Sequence, residues 1–349
     1  MENFQHKELV TRRSLKYTYY ISSSEQPTTQ SPALLFLHGF PDSAHLWTGV
    51  VAKLGDLPNK IIIPDCLGYA GTDKPTDTDL YAYKDQAEDL ADILGNEHVK
   101  STIIIGHDWG SALAQRTYLH KPELFSGIIL LNTGYMVPST EPFDLAAINS
   151  LTEKIFGYQQ FSYWDLFLAP DAPDIVENNL DRMWQVLHGD VENWMKKLFC
   201  IPNAMREFLL GSDEVPLKDY AKNPAWKDRF MQQFKTSGDL VSALQMYKAT
   251  QTKSDATIPK EDLGINVPLL FISCSQDAVC KPEVMNAAKD QGLVPFLKEA
   301  MIDCAHWSPM ERPDEIAWHV REFLGGVGFS QFNLVGPPVD PALLMNCTT

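Results

Sequence analysis

A carboxylate stands at the centre of Gly106-His107-Asp108-Trp109-Gly110. There an apolar run, Thr102-Ile103-Ile104-Ile105, gives way to a helix-forming stretch from Ala112 to Leu119. A reactive side chain on a sharp strand-to-helix turn is the arrangement of a nucleophile elbow, and the flanking glycines fit close approach of strand and helix. A carboxylate that attacks carbon forms an ester. The chemistry it suits is displacement at a strained or activated carbon, followed by hydrolysis of that ester. The competing reading is an Asp that only caps the following helix. Serine chemistry is disfavoured, because Asp108 holds the elbow and Ser111 falls within the helix that follows.

An acid and a base follow further along the chain. Asp277 comes after the apolar run Leu269–Ser273, and His306 comes after Leu297–Ile302 in Asp303-Cys304-Ala305-His306-Trp307. The order nucleophile, acid, base is a known one for triads built on an elbow. His38-Gly39-Phe40-Pro41 follows a further run, Ala33–Leu37. Asp277 could otherwise be a turn acid, and His306 a satisfied core histidine. The remaining histidines read as surface or packing residues. His107, next to the nucleophile, takes a structural role because adjacent side chains on an elbow diverge. Cys274 and Cys280, on either side of Asp277, read as packing residues.

These residues must be positioned by a sheet. Strand-like runs at Ala33–Leu37, Lys60–Ile63, Thr102–Ile105, Ile128–Leu131, Val267–Ser273 and Leu297–Ile302 alternate with helical stretches at Ala44–Leu54, Tyr81–Leu94, Ala112–Leu119 and Pro313–Leu324. Such alternation predicts an α/β fold, a mostly parallel sheet with flanking helices. Leu9–Arg13 and Lys16–Ser22 are expected to pair as an antiparallel hairpin at one edge. Open parallel sheets bind ligands beyond the carboxyl ends of their strands, and all four chemical segments follow strands directly. After Asn132 the alternation stops and the sequence turns aromatic and helical. The expected division is a core over 1–136, an inserted helical cap or lid over 137–262, the rest of the core over 263–325, and an irregular tail over 326–349.

Composition narrows the function classes. The chain has 349 residues and a formal net charge of −16, which opposes binding to nucleic acid or an anionic membrane. The six cysteines match no zinc-ligand spacing, so neither a metal nor a cofactor is expected. Residues 1–16 lack the apolar segment of a signal peptide, and no apolar run is long enough to span a membrane. These features point to a cytoplasmic protein; oligomeric state is left open.

The chain resembles the α/β-hydrolase-fold epoxide hydrolases of the soluble type. The resemblance rests on His38-Gly39-Phe40-Pro41-Asp42-Ser43, Gly68-Tyr69-Ala70-Gly71-Thr72-Asp73-Lys74-Pro75, Gly106-His107-Asp108-Trp109-Gly110, Gln276-Asp277 and Asp303-Cys304-Ala305-His306-Trp307. It runs from about residue 30 to 324, with Ala70 standing where relatives have glycine. It implies catalysis by Asp108, Asp277 and His306 and an oxyanion hole formed by the backbone N–H groups of Phe40 and Trp109. One such donor is typically worth about 3 kcal/mol in acyl-transfer enzymes. It implies two lid tyrosines as acids. Tyr247 fits the second, and Tyr163 fits the first better than Tyr158. Phe40, Trp109 and Trp307 are expected to contact a small apolar epoxide, which water converts to a vicinal diol. The nearest rivals are haloalkane and haloacid dehalogenases, which share the Asp-His-Asp set. Phe40 stands where the former usually carry Asn, and Trp109 where the latter usually carry Arg. A non-catalytic receptor on the same fold is the rival from another class.

Overall fold

The computed structural model describes residues 1, 3–22, 31–236, 238–253 and 255–325. Eight strands form a single sheet: β1 (Phe4–Val10), β2 (Lys16–Ser22), β3 (Ala33–Leu37), β4 (Ile61–Pro64), β5 (Thr102–His107), β6 (Phe125–Leu131), β7 (Leu269–Cys274) and β8 (Leu297–Ile302). Their order is β1-β2-β4-β3-β5-β6-β7-β8. The pairs β1–β2 and β2–β4 are antiparallel, and the pairs from β4 through β8 are parallel. Every residue of β3, β4, β5 and β7 is buried. This is why those strands read as unbroken apolar runs: helices cover both faces of a parallel sheet, so alternation would put polar groups in the core. The edge strands differ, with Lys7 and Glu8 in β1 and Lys298 and Glu299 in β8, and charge of this kind discourages pairing with another sheet.

The hairpin forms at the expected edge, with one shift. Its first strand is Phe4–Val10, not Leu9–Arg13, and residues 11–15 make the turn, closed by Thr11 N–H donating to Leu15 C=O at 2.9 Å. The apolar pair Leu9-Val10 marks only the end of this strand. Edge pairing needs backbone groups rather than apolar side chains, so it continues through Gln5, His6, Lys7 and Glu8. The helix expected over Ala44–Leu54 divides into a 3-10 turn, Ala44–Trp47, and a short helix, Thr48–Ala52.

Between β6 and β7 the described residues contain helices and turns but no strand, with helical segments from Leu145 to Thr252. The last two α-helices of this stretch, Asp239–Ala243 and Gln245–Thr252, are fixed to the loops that follow β4. Tyr69 donates to Ala243 C=O at 2.8 Å, Ser242 to Lys74 C=O at 2.7 Å and Thr78 to Gln245 Oε1 at 2.6 Å, while Lys74 pairs with Asp239 at 3.0 Å. The tail expected over 326–349 lies outside the described residues. No helix among the described residues is long and apolar enough to cross a membrane.

Candidate active site

The loops after β3, β5, β6, β7 and β8 emerge at the carboxyl ends of parallel strands, and four of them meet at Asp108. That residue joins β5 to helix Trp109–His120 with φ 56° and ψ −124°, a conformation that L residues rarely adopt. The turn is possible because its neighbours lack side chains. A Cβ on Gly110 would lie 2.3 Å from the Leu37 carbonyl oxygen, and one on Gly39 would lie 2.2 Å from Asp108 Oδ1. The strained backbone is held by this packing, and it leaves the carboxylate aimed out of the sheet instead of capping its helix; no side-chain cap bond forms there.

The two oxygens of Asp108 have different surroundings. Oδ1 accepts the Phe40 backbone N–H at 2.9 Å, and the Trp109 backbone N–H also bonds this carboxylate. Oδ2 lies 3.4 Å from His306 Nε2. The other ring nitrogen, Nδ1, donates to Asp277 Oδ2 at 2.7 Å. Asp277 is fully buried, but its charge is compensated. Oδ1 accepts the backbone N–H groups of Val279 at 2.9 Å and Cys280 at 2.8 Å, and Oδ2 also accepts from Asn132 Nδ2 at 2.8 Å. His107, given a structural role by the sequence, donates Nε2–H to the His306 carbonyl at 2.8 Å and so holds the base loop.

These contacts set the protonation states. Burial works against charge at all three residues. At Asp108 it is outweighed by hydrogen bonding and charge from His306 and by the Trp109 N–H, leaving the pKa below the ordinary value. At Asp277, His306 and the surrounding N–H donors have the same net effect. Burial would lower the His306 pKa, but the charge of Asp277 and hydrogen bonds with Asp108, Asp277 and Cys280 raise it well above its ordinary value. The arrangement therefore favours an imidazolium between two carboxylates. Sequence cannot show this, because it does not reveal that both ring nitrogens face carboxylates.

Two tyrosines from the helical segments stand over this group. Tyr247 is buried, its ring 5.5 Å from Phe40, 5.0 Å from Trp109, 5.0 Å from Trp164 and 5.1 Å from Phe167, centroid to centroid. Tyr163 is buried beside it, with ring centroids 6.1 Å apart at 86°. Burial, and then the nearby charge of Asp108, raise both phenols well above their ordinary pKa. Tyr158 is placed elsewhere: its hydroxyl donates to Ala278 C=O at 3.0 Å and its ring lies under Lys196. With Gln160, which donates to Val279 C=O at 2.6 Å, it anchors the loop that carries Asp277. Trp307 packs against His306 at 4.9 Å and donates Nε1–H to Asp42 Oδ2 at 3.2 Å.

Three residues at this centre were not assigned from sequence. Asn132 ends β6 in a left-handed conformation and links Asp277 to Ser308, whose hydroxyl donates to Asn132 Oδ1 at 2.9 Å. Its place just past a strand end was the available signal. Asp42 lies inside a quoted motif; burial and then the charge of Asp108 push its pKa up to about 7. Cys280, read as packing, has Sγ 3.3 Å from Thr133 Oγ1 and within 4.8 Å of a His306 ring nitrogen.

Comparison with known proteins agrees with this architecture. The profile of the alpha/beta hydrolase fold family matches residues 32–313. The chain belongs to the α/β-hydrolase fold family. Among relatives in this family, bifunctional epoxide hydrolase 2 of Rattus norvegicus is 26% identical over 287 residues, covering 82% of this chain and 50% of that protein. The chain thus spans about half the length of the bifunctional relatives it matches. Epoxide hydrolase A of Mycobacterium tuberculosis is 26% identical over 316 residues, covering 85% of this chain and 91% of that protein. Among solved α/β-hydrolase structures, an epoxide hydrolase from an endophytic Streptomyces superposes with a TM-score of 0.73 at 25% identity, covering 94% of this chain and 97% of that one. A Vigna radiata epoxide hydrolase gives 0.71 at 20% identity, covering 93% and 99%, and shows likeness of fold.

Proposed function

We propose that this protein hydrolyses an epoxide to a vicinal diol through a covalent ester on Asp108. The observation that carries the reading is a pair of buried phenols beside a buried carboxylate: Tyr247 packs on Phe40 and Trp109, the residues whose N–H groups flank Asp108, Tyr163 packs on Tyr247, and both phenols are held in the protonated form. Opening an epoxide creates an alkoxide, which leaves well only if a donor meets it. A phenol stays protonated at neutral pH and still donates strongly. The named activity of the relatives supports the same assignment.

In this mechanism Oδ1 of Asp108 stays on the Phe40 N–H while Oδ2 attacks an epoxide carbon. The C–O bond of the ring breaks, and its electron pair is taken up as an alkoxide held and protonated by the tyrosines. Esterification removes the charge of Asp108, one of the influences holding the proton on His306. Asp277 remains on Nδ1 and keeps the ring oriented. The His306 proton returns by way of solvent to the phenol that protonated the alkoxide; His306 then takes a proton from water, which attacks the carbonyl carbon of the ester, and passes that proton to the diol oxygen as it departs. The Phe40 and Trp109 N–H groups receive the developing oxyanion, and the diol leaves. The helical insert, residues 137–262, serves as the lid: it supplies the tyrosines and the aromatic side chains packed around them.

Single turnover in heavy-oxygen water tests the ester. The first diol should carry only light oxygen, with the label in Asp108; label in the first product would overturn the reading. A His306→Ala variant given an epoxide should gain the substrate mass and retain it. Halide release from a haloalkane in place of diol formation would favour the dehalogenase reading, but Phe40 offers no second side-chain donor to halide beside Trp109.

A further inference from the structure

The mechanism above has no step for the thiol of Cys280. Its backbone N–H supports Asp277, and its Sγ lies beside His306 and 3.3 Å from the Thr133 hydroxyl. Cys280 Sγ, a carboxylate oxygen of Asp277 and a ring nitrogen of His306 all lie within 4.8 Å of one another. The loop from Asp277 to Cys280 sets this spacing. It wraps back on the Asp277 carboxylate through two N–H bonds and so presents the cysteine beside its own acid. Cys280 is half-buried and Asp108, on the other side of His306, keeps part of its side chain exposed. Asp42 adds a third carboxylate near the same imidazole, and a site lined this way concentrates cations.

Sulfur, imidazole nitrogen and carboxylate oxygen, with a place left for water, form a zinc-type donor set. Calcium and magnesium call for oxygen ligands, whereas thiolate selects softer ions. Separations of this size need small side-chain movements for three donors to reach one ion at about 2.0 to 2.3 Å. We infer that Cys280, His306 and Asp277 form an inhibitory binding site for a thiophilic divalent cation of the zinc class. On binding, the cation takes the Cys280 sulfur as thiolate and a deprotonated His306 nitrogen, and both the thiol proton and one imidazolium proton pass to water; no electron is transferred. Ligation at Nδ1 breaks the bond to Asp277, and ligation at Nε2 occupies the nitrogen that faces Asp108. Either way His306 loses its use as a base. The inhibitory consequence rests on the reading of His306 above, whereas the binding itself does not.

The test uses the whole chain and two ions. Titration with cadmium chloride should give a thiolate-to-cadmium ultraviolet band saturating at one ion per chain, and zinc chloride should inhibit diol formation from a small aryl epoxide, where calcium and magnesium chlorides do not. Cys280→Ser should lose the band and, measured against its own turnover in chelator, need at least about tenfold more zinc for the same fractional inhibition, as expected on loss of a ligand. Cys280→Ala, which also keeps the backbone bond to Asp277, serves if the serine variant folds poorly. Equal cadmium binding and equal zinc inhibition in wild type and both variants would overturn the site. A band that depends on Cys280 with turnover intact in saturating metal would leave the ion in place and refute the role of His306 as base.

Discussion

The loops at the strand ends and the helical insert hold their polar groups in different ways. Beyond the strands, Asp108, Asp277 and His306 are charged, and each charge is met by specific partners: Phe40 and Trp109 N–H for Asp108, three N–H donors for Asp277, and two carboxylates for His306. In the insert, Tyr163 and Tyr247 are neutral and held by aromatic packing against Phe167, Phe199, Trp164 and each other. The difference follows from what each group must do. A nucleophile and its base need charge under burial, which is costly unless hydrogen bonds replace water. An acid for an alkoxide must keep its proton, and apolar burial favours that at no electrostatic cost.

Removing the charge of the nucleophile should have the largest effect. Asp108→Ala is expected to lower kcat by at least about 10³-fold, since no other group can form the ester; steady-state diol formation measures this, and substantial remaining turnover would move the nucleophile elsewhere. Tyr247→Phe should slow ring opening by about 10²-fold, the low end for loss of a general acid, with thermal stability kept because the ring remains packed. Stopped-flow measurement of ester formation separates this from hydrolysis, and an unchanged rate would remove Tyr247 from the chemistry.

Protonation offers a finer contrast. Asp108→Asn should lower the His306 pKa, because a neutral amide no longer favours the imidazolium; an NMR titration of the ring protons reads the shift, and no shift would sink the proposed change of role on esterification. Asp42 is protonated below about 7 and ionised above it. Ionised, it adds an anion near the imidazolium that forms during ester hydrolysis. Turnover should therefore rise a few-fold as pH passes through about 7, and Asp42→Asn should flatten that rise; about 0.8 kcal/mol corresponds to such a change. Tyr158→Phe should change turnover least, because its hydroxyl is occupied by Ala278. An effect as large as that of Tyr247→Phe would restore Tyr158 as the first lid acid.

Sequence alone set out the parallel sheet and the elbow because both are written in local patterns. Unbroken apolar runs mark strands buried on both faces, and Gly39, Gly106 and Gly110 mark a turn that tolerates no Cβ. The order of Asp108, Asp277 and His306 followed from those strands. Tertiary structure decided what contact alone determines. It separated Tyr163 from Tyr158, although they lie in one aromatic segment, by occupying one hydroxyl with a carbonyl and burying the other near Asp108. It brought Asn132, Asp42 and Cys280 to the triad and placed carboxylates at both nitrogens of His306. Local patterns are carried by neighbours along the chain, whereas a pKa or a hydrogen-bond partner depends on groups brought together only when distant strands pair.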